Sequence, residues 1–386
     1  MRTLDRLGWN DFFQQQIAGD VPLPQVARII EEQRGAYRIA GQVEGWAEVS
    51  GKFRHDALAS ADFPAVGDWV CVAPPGLPRR SDELNGVKAG TRDVPRVSDG
   101  DGAAKAGRAI ITRRLERLST ISRKAAGRAV EEQVVAANVD TIFLVTALAD
   151  DLNPRRLERY LTVVRDAGAV PVVVLNKTDL SADPDAQAAE VGARLPFVDV
   201  LAISAKQGDG LSALHAYLSP AKTVALIGSS GVGKSTIVNR LLGHELLKTA
   251  EISAVDGRGR HTTTARHLVE LPGGALLIDT PGMRELQPWV DEAAVTETFE
   301  DIADLARGCR FSDCAHDTEP GCAVRAAVER GDLSAERLDH FRHLGREIAF
   351  EERKRDKSAA ADEKRRWKKI HQANKVMYRE RDRNRG

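Results

Sequence analysis

Three short motifs in this chain occur in an order that restricts its fold. Asn176–Asp179 comes first, the glycine-rich segment Gly228–Ser235 follows, and Asp279–Gly282 comes last. Each motif follows a predicted apolar strand, and open α/β sheets bind ligands at the carboxyl ends of their strands. In nucleotide-binding domains of ordinary topology the glycine-rich segment comes first. The order therefore predicts a circularly permuted α/β domain, with all three motifs at one edge of its sheet.

The glycine-rich segment has the complete pattern of a phosphate-binding loop. Its glycines let backbone N–H groups turn inward around phosphates. Lys234 would place a positive charge on the β- and γ-phosphate oxygens, and the Ser235 hydroxyl would ligate Mg²⁺. The candidate phosphate-binding residues are Gly228, Ser229, Ser230, Gly231, Val232, Gly233, Lys234, Ser235 and Thr236.

The pattern Asn-Lys-x-Asp at Asn176–Asp179 predicts recognition of guanine. A carboxylate at Asp179 can accept hydrogen bonds from N1–H and the 2-amino group of guanine, whereas adenine has no such donor pair. Ser204–Lys206, at the next strand end, would present a backbone N–H to the guanine O6. The candidate base-binding residues are Asn176, Lys177, Thr178, Asp179, Ser204, Ala205 and Lys206. The predicted ligand is GTP or GDP with Mg²⁺, and an ATP-using kinase is disfavoured.

The remaining phosphate-side candidates lie after the phosphate loop. Asp279 would hold Mg²⁺ through water, and Gly282 leaves its N–H free to approach the γ-phosphate. The polar, basic segment 257–264 is typical of a switch loop, in which Thr263 or Thr264 would close onto Mg²⁺ and the γ-phosphate.

Met283 occupies the position where many GTPases place the glutamine that orients the attacking water. Methionine cannot orient water, so we expect slow intrinsic hydrolysis and a different water-positioning group. His261 is the candidate for that catalytic role. The alternative is a histidine that lies beside the phosphates or contacts a partner, since histidine has several such roles.

Three of the four cysteines lie close together with a histidine, at Cys309, Cys314, His316 and Cys322. Three thiolates and one imidazole suit tetrahedral Zn²⁺ in a closed, structural site. The prediction is one structural Zn²⁺, which would stabilise short helices that have little core of their own.

The N-terminal part has the short strands of a small β-barrel, with an OB-fold the leading candidate. The predicted strands are Tyr37–Ala40, Gln42–Val49, Lys52–Arg54, Trp69–Val72 and Ala109–Thr112. The stretch 74–108 is rich in Gly, Pro, Asp and Arg and is predicted to be a disordered loop, either a tolerated insertion or a functional one. Residues 1–34 are expected to form a loosely attached helical extension.

The predicted fold is therefore multidomain: an all-β OB-fold barrel, a circularly permuted α/β P-loop GTPase domain, and an α-helical zinc-binding domain. The expected boundaries are 1–34 for the extension, 35–122 for the RNA-binding barrel, 130–290 for the GTPase domain and 291–386 for the zinc domain with its basic tail.

Charge is unevenly distributed along the chain. Residues 351–386 hold fourteen Lys/Arg and seven Asp/Glu, a local balance of +7, although the formal net charge of the chain is zero. In Lys364–Lys369 a tryptophan stands between lysines and arginines, a pattern that suits contact with RNA. The alternative interpretation of this segment is the solvated face of a helix.

No run of about 18 apolar residues occurs, so no membrane span is expected. Few cysteines and the lack of an apolar signal core favour a cytoplasmic protein.

Together these features resemble the bacterial family of ribosome small subunit-dependent GTPases, RsgA (also called YjeQ or YloQ). The segments that carry the resemblance are Gly67–Trp69, Ala137–Asp140, Asn176–Asp179, Ser204–Lys206, Gly228–Thr236, His261–Thr264, Asp279–Gly282 and Cys309–Cys322. The resemblance implies GTP hydrolysis stimulated by the small ribosomal subunit, late maturation of that subunit, and rRNA contacts through the OB-fold. The expected partners are the subunit and its rRNA, with no membrane, and the expected state is a monomer. The chain departs from the family pattern at 1–34 and 74–108.

A second function remains open on the sequence alone. The chain could be an RNA-binding assembly scaffold that uses GTP only as a conformational latch. Loss of hydrolysis without loss of subunit maturation in Lys234→Ala would favour the scaffold.

Overall fold

The computed structural model describes residues 3–33, 35–73, 108–124, 132–148, 151–195, 197–243, 266–279 and 292–349. Predictions for the loop 74–108, the switch segment 257–264, Gly282 and the basic tail lie outside these residues. Internal contacts divide the chain into two compact units. The first comprises Met1–Ser122, Gln133–Leu152 and Ala167–Glu285, and the second comprises Arg123–Glu132, Asn153–Asp166 and Leu286–Gly386.

The N-terminal part of the first unit is a closed five-stranded barrel. Its strands are β1 (Gln25–Gln33), β2 (Ala36–Gly41), β3 (Gly45–Val49), β4 (Trp69–Ala73) and β5 (Ala109–Arg114). They pair in the ring order β1-β2-β3-β5-β4-β1, with β3 and β5 parallel and the other neighbours antiparallel. The predicted OB-fold barrel is therefore confirmed.

The expectation of a loosely attached helical segment over 1–34 is wrong. Helices α1 (Thr3–Arg6) and α2 (Asp11–Gln15) are short, and β1 follows as a strand with four consecutive buried residues. Because β1 is buried on both faces, it lacks the polar–apolar alternation that identifies a half-buried strand. The helices are also packed, since Phe13 and Ile17 are buried against Trp69 and its neighbours.

The predicted strand Lys52–Arg54 is also wrong, because these residues belong to helix α3 (Gly51–Asp56) between β3 and β4. Ser50 caps this helix, and its hydroxyl accepts a hydrogen bond from the Phe53 N–H at 3.0 Å. A serine cap of this kind favours a helix start over strand continuation.

The second part of the first unit is an α/β domain with a mostly parallel sheet, as predicted. Its strands are β8 (Thr141–Ala147), β9 (Val170–Asn176), β10 (Asp199–Ala202), β11 (Thr223–Ile227), β12 (Arg266–Glu270) and β13 (Leu276–Asp279). Their order is β10-β9-β8-β11-β13-β12, in which β12 alone is antiparallel to its neighbour. A separate pair, β6 (Thr120–Lys124) and β7 (Glu132–Ala137), was not predicted.

The order of the parallel strands places a crevice beside the phosphate loop. β8 and β11 are neighbours, but β9 and β10, which follow β8 in the chain, lie on one side of the pair, and β12 and β13, which follow β11, lie on the other. Ligands bind at the carboxyl ends of strands where the winding direction changes in this way. Helices α5 (Pro184–Arg194) and α6 (Lys234–Leu242) follow β9 and β11. The sequence also predicts a helix over Leu211–Leu218, and the structure has a 3₁₀-helix there, Leu211–Tyr217.

Strand β12 also connects the two sheets, which the sequence did not predict. It pairs antiparallel with β1 of the barrel, placing Glu31 opposite His267 and Glu32 opposite Arg266. The Arg266 guanidinium lies 3.5 Å from a Glu32 carboxylate oxygen. The barrel and the parallel sheet thus form one continuous sheet of eleven strands.

The second compact unit is helical in the part that the structure describes. It contains α4 (Pro154–Asp166), α7 (Glu292–Thr298), α8 (Glu300–Ala306), α9 (Ala323–Arg330) and α10 (335–349). Glu158 of α4 is fully buried, and it accepts hydrogen bonds from Arg337, at 2.8 Å, and from His340 of α10. Arg337 also contacts Asp301 of α8 through two bonds of 2.7 Å. Glu158, Arg337 and His340, which are buried, and Asp301, which is half-buried, therefore join α4, α8 and α10. None of the described helices is both long and apolar enough to cross a membrane.

A buried ion pair in the barrel yields a stability prediction. Arg117 contacts the two oxygens of Asp68 at 2.8 and 2.7 Å, and Asp68 is fully buried. Arg117→Ala should lower the free energy of unfolding by about 3–5 kcal/mol, because it leaves an uncompensated buried charge. Urea denaturation followed by circular dichroism would measure this. Arg6→Ala, which removes an exposed pair with Glu270, is the matched control and should leave the midpoint nearly unchanged. Equal midpoints for the two variants would contradict the prediction.

Candidate functional site

The phosphate loop leaves β11 as a tight turn around the Lys234 side chain. The Lys234 ammonium donates hydrogen bonds to the Gly228 and Ser229 carbonyl oxygens, both at 2.7 Å. A Cβ at Gly228 would lie 2.1 Å from the Val145 carbonyl oxygen, so only glycine fits between β11 and β8. Ser235 and Thr236 lie in the first turn of α6. A helix N-terminus directly after a glycine-rich turn favours binding of phosphate.

Asn176 joins the phosphate loop to the base-reading loop. It ends β9 and is 2 % exposed. Its side-chain Nδ2 donates to the Val232 carbonyl oxygen at 2.7 Å, and its Oδ1 accepts from the Ala205 N–H at 3.0 Å. At Gly233 a Cβ would lie 2.3 Å from the Asn176 Nδ2. The structure therefore brings together three predicted segments that are 29 and 56 residues apart in the chain.

Asp179 lies in a short 3₁₀-helix, Thr178–Leu180, directly after β9. The Ser204 hydroxyl donates to the Asp179 Oδ1 at 2.6 Å. Lys177 adopts a left-handed conformation with φ 64°, and the Thr178 N–H donates to the Ile203 carbonyl oxygen at 3.2 Å. A buried serine at the end of the neighbouring strand thus fixes the carboxylate that is predicted to read guanine.

Some predicted site residues are not part of this hydrogen-bonded arrangement around Asn176 and Asp179. The backbone of Asp279 ends β13, beside the phosphate-loop strand, but its Mg²⁺ role stays a prediction. His261, Thr263, Thr264 and Gly282 lie outside the described residues, so the structure places none of them.

The four predicted zinc ligands converge in the second unit. Their ligand atoms all lie within 4.8 Å of one another. The Cys309 Sγ lies 3.6 Å from the His316 Nδ1 and 3.9 Å from the Cys322 Sγ, and the Cys322 Sγ lies 3.5 Å from the same nitrogen. A tetrahedral site with metal–sulfur bonds of about 2.3 Å has edges of about 3.8 Å. The donor set and spacing therefore fit Zn²⁺.

The four clustered side chains also shift one another's protonation when no cation is bound. Burial, together with the neighbouring Cys322 and Cys309 thiols, raises the pKa of Cys314 to about 11. Burial and the charge of Arg342 lower the pKa of His316, which keeps its imidazole neutral as metal binding requires. A bound cation reverses the effect on thiols, because coordination favours the thiolate.

The zinc assignment predicts one metal ion per chain. Cys309→Ala should lose most of the metal, and the second unit should then unfold, because zinc binding supplies much of the folding free energy of such small domains. Atomic emission analysis and thermal unfolding would measure both effects. Cys71→Ala is the control, since Cys71 lies in the barrel strand β4 and should leave the zinc content unchanged. Full zinc occupancy in Cys309→Ala would contradict the assignment.

Buried hydrogen bonds of Arg28 and Asn138, neither of which is a predicted site residue, join the barrel to the parallel sheet. Arg28 of β1 is 2 % exposed and donates hydrogen bonds to the carbonyl oxygens of Leu7, Gly67 and Asn138. The Asn138 amide also donates to the Gly67 carbonyl oxygen at 3.0 Å. Burial lowers the pKa of Arg28 to about 10. No local sequence pattern indicates this contact, because Arg28 and Asn138 are 110 residues apart.

Comparison with known proteins agrees with this architecture. The profile of the RsgA GTPase family matches residues 114–289. A relative from Opitutus terrae, the small ribosomal subunit biogenesis GTPase RsgA, is 46 % identical over 98 % of both chains. One from Oceanobacillus iheyensis, RsgA 1, is 39 % identical over 93 % of this chain and 95 % of its own.

Two solved structures share the fold. The crystal structure of YjeQ from Thermotoga maritima, with a TM-score of 0.59 and 24 % identity, covers 85 % of this chain and 99 % of its own. The circularly permuted GTPase YloQ, with a TM-score of 0.56 and 24 % identity, covers 86 % of this chain and 96 % of its own. With nearly full-length relatives well above 30 % identity, the chain belongs to the RsgA family of circularly permuted GTPases.

Proposed function

We propose that this chain hydrolyses GTP to GDP and phosphate when the small ribosomal subunit stimulates it, and that it acts in late maturation of that subunit as a cytoplasmic monomer. The main support is the Opitutus terrae relative, whose name assigns it to small ribosomal subunit biogenesis and which matches this chain over 98 % of its length.

The phosphate side of the site would stabilise charge during hydrolysis. The backbone N–H groups of the phosphate loop and the Lys234 ammonium would face the β- and γ-phosphates of a bound nucleotide, and such fixed charges and dipoles stabilise the transition state. Ser235 and Asp279, with Thr263 or Thr264, would hold Mg²⁺, which neutralises phosphate charge when it is bound. The Lys234 bonds to Gly228 and Ser229 would be exchanged for phosphate oxygens.

The residues on the base side of the site would select guanine. Positioning of the attacking water would require the small ribosomal subunit. Asn176 holds the phosphate loop and the Ser204–Lys206 loop at a fixed separation, while Ser204 orients the Asp179 carboxylate. Met283 stands where other GTPases use glutamine, so slow intrinsic turnover is expected. The subunit would order the switch segment and place the water, with His261 as the candidate contact.

The barrel offers a surface that suits RNA. Arg38 of β2 lies opposite Trp46 of β3, and both point outward, because Tyr37, Ile39 and Ala47 fill the interior. Trp46 is 40 % exposed, and the Arg38 side chain is 58 % exposed. This face of strands 2 and 3 is the one with which OB-folds bind oligonucleotides, and aromatic and arginine planes stack on bases. We propose that it contacts rRNA, assisted by the basic residues 351–386.

The test of the proposed function is GTP turnover with and without purified small ribosomal subunits, at two salt concentrations. Turnover should be slow alone and rise at least about tenfold with subunits, and the rise should shrink at high salt because RNA backbone contacts release counterions. Trp46→Ala should weaken the stimulation and leave intrinsic turnover unchanged. No stimulation at either salt concentration would contradict the proposal.

A further inference from the structure

Arg240 contacts the base-reading loop from the helix that follows the phosphate loop. It lies in the last turn of α6 and belongs to none of the predicted nucleotide-binding motifs. Its Nε donates to the Ala205 carbonyl oxygen at 3.0 Å, and a terminal nitrogen donates to the Lys206 carbonyl oxygen at 2.5 Å. One guanidinium therefore holds the two peptide groups that flank Lys206.

These contacts fix the direction of the Lys206 N–H. The Ala205–Lys206 peptide bond is not among the cis bonds of the described residues. In a planar trans peptide the C=O and N–H point in opposite directions. Arg240 holds the Ala205 oxygen, so the Lys206 N–H must point away from α6. The second contact, to the Lys206 carbonyl oxygen, prevents rotation of the residue about its own backbone.

The Lys206 N–H can donate to a ligand, whereas the N–H groups of its two neighbours already have partners. The Ala205 N–H is bound to Asn176, and the Gln207 N–H donates to the Ser204 hydroxyl at 3.2 Å. No described residue accepts a hydrogen bond from the Lys206 N–H. A cation on the carbonyl oxygen also polarises the peptide and strengthens its N–H as a donor, since hydrogen bonds in a chain reinforce one another.

We infer that Arg240 is a positioning residue for base specificity: it aims and polarises the Lys206 N–H toward the 6-oxo group of the bound purine. This inference rests on the proposed guanine site, and it adds a contact that links the phosphate-loop helix to base recognition. We assign Arg240 no direct contact with phosphate or base, since its hydrogen bonds go to the Ala205 and Lys206 carbonyl oxygens. Its effect should therefore appear in which purine is accepted, and only weakly in the turnover of bound nucleotide.

The experiment compares GTP with two analogues: ITP, which lacks the 2-amino group, and 2-aminopurine riboside triphosphate, which lacks the 6-oxo group. For wild type and Arg240→Ala, KM and kcat are measured for each. Arg240→Ala should lose roughly ten- to a hundredfold in kcat/KM for GTP, mainly through KM, because a charge-assisted contact to the donor peptide is lost. Its preference for GTP over 2-aminopurine riboside triphosphate should fall by a similar factor. Its preference for GTP over ITP should stay within about twofold, because Asp179 still reads the 2-amino group.

Three controls make the result specific. Arg240→Lys should recover part of the lost preference, since an ammonium can hold one of the two carbonyl oxygens. Arg307→Ala removes an exposed arginine of the second unit and should behave as wild type. Thermal unfolding of nucleotide-free Arg240→Ala should match wild type, because Arg240 is exposed.

The measurements distinguish failure of the guanine-site assignment from failure of the role assigned to Arg240. If wild type does not prefer GTP over either analogue, the guanine-site assignment is wrong, and the role of Arg240 with it. If wild type discriminates and Arg240→Ala discriminates equally well, only the role of Arg240 is overturned. An equal loss of both preferences would also overturn it, since that result indicates general damage to the site.

Discussion

Asp179→Asn should convert the chain from a GTPase into a hydrolase that prefers xanthosine triphosphate. The carboxylate is placed to accept two hydrogen bonds from guanine, and Ser204 holds it at 2.6 Å. An asparagine offers one acceptor and one donor, which match N1–H and the 2-oxo group of xanthine. Losing two charge-assisted hydrogen bonds of about 1.5–3 kcal/mol each lowers kcat/KM for GTP by roughly 10²- to 10⁴-fold. The Ser204 hydroxyl can donate or accept, so it tolerates the amide.

Steady-state turnover of GTP and xanthosine triphosphate by both proteins would measure this change. Asp183→Asn is the matched control, four residues further along. Asp183 caps α5, where its carboxylate accepts a hydrogen bond from the Ala186 N–H at 3.1 Å, and asparagine caps helices as well as aspartate does. That variant should keep the wild-type preference. If Asp179→Asn still prefers GTP, Asp179 does not read the base.

The parallel sheet, and the meeting of the motif segments at its edge, could be predicted because their signals are local. β8, β9 and β11 are short buried runs rich in β-branched residues. The sequence predicts strands at Thr141–Ala147, Val170–Leu175 and Thr223–Ile227, and the observed bounds differ from these by at most one residue. A motif follows β9 and another follows β11, so strand order and motif chemistry agree. Strand ends of a parallel sheet converge in space, which is why segments far apart in sequence meet at Asn176.

The parts that could not be predicted depend on contacts between distant segments. β12 has one buried residue among five, so its apolar pattern is too weak to indicate a strand, yet pairing with β13 and β1 forms it. β1 is buried on both faces and loses the alternation of an edge strand. The buried arginines Arg28, Arg117 and Arg337 lie against acceptors that are far away in sequence. Each contact follows from the tertiary fold and leaves no periodic signal.

Gly67→Ala should cause the largest loss of stability of any single-methyl change at the barrel junction. Gly67 has φ +95°, and an added Cβ would lie 2.0 Å from the backbone oxygen of Ala137 and 3.1 Å from Ile278. Both the left-handed backbone, at about 1–3 kcal/mol, and the clash oppose alanine. Moving this backbone would also disturb the buried Arg28 bond to the Gly67 oxygen, a group that is costly to leave unpaired. We therefore expect a loss of at least about 4 kcal/mol.

Gly35→Ala separates the clash from the backbone strain. Gly35 has a similar φ of +80°, but no atom lies within 4 Å of its added Cβ, so only about 1–2 kcal/mol of strain is expected. Urea denaturation of both variants would give the difference. Because Gly67 accepts from both β1 and Asn138, between the barrel and the parallel sheet, its variant should weaken both parts in one transition. If Gly67→Ala and Gly35→Ala differ by less than about 1 kcal/mol, the junction is not the rigid connection that these distances indicate.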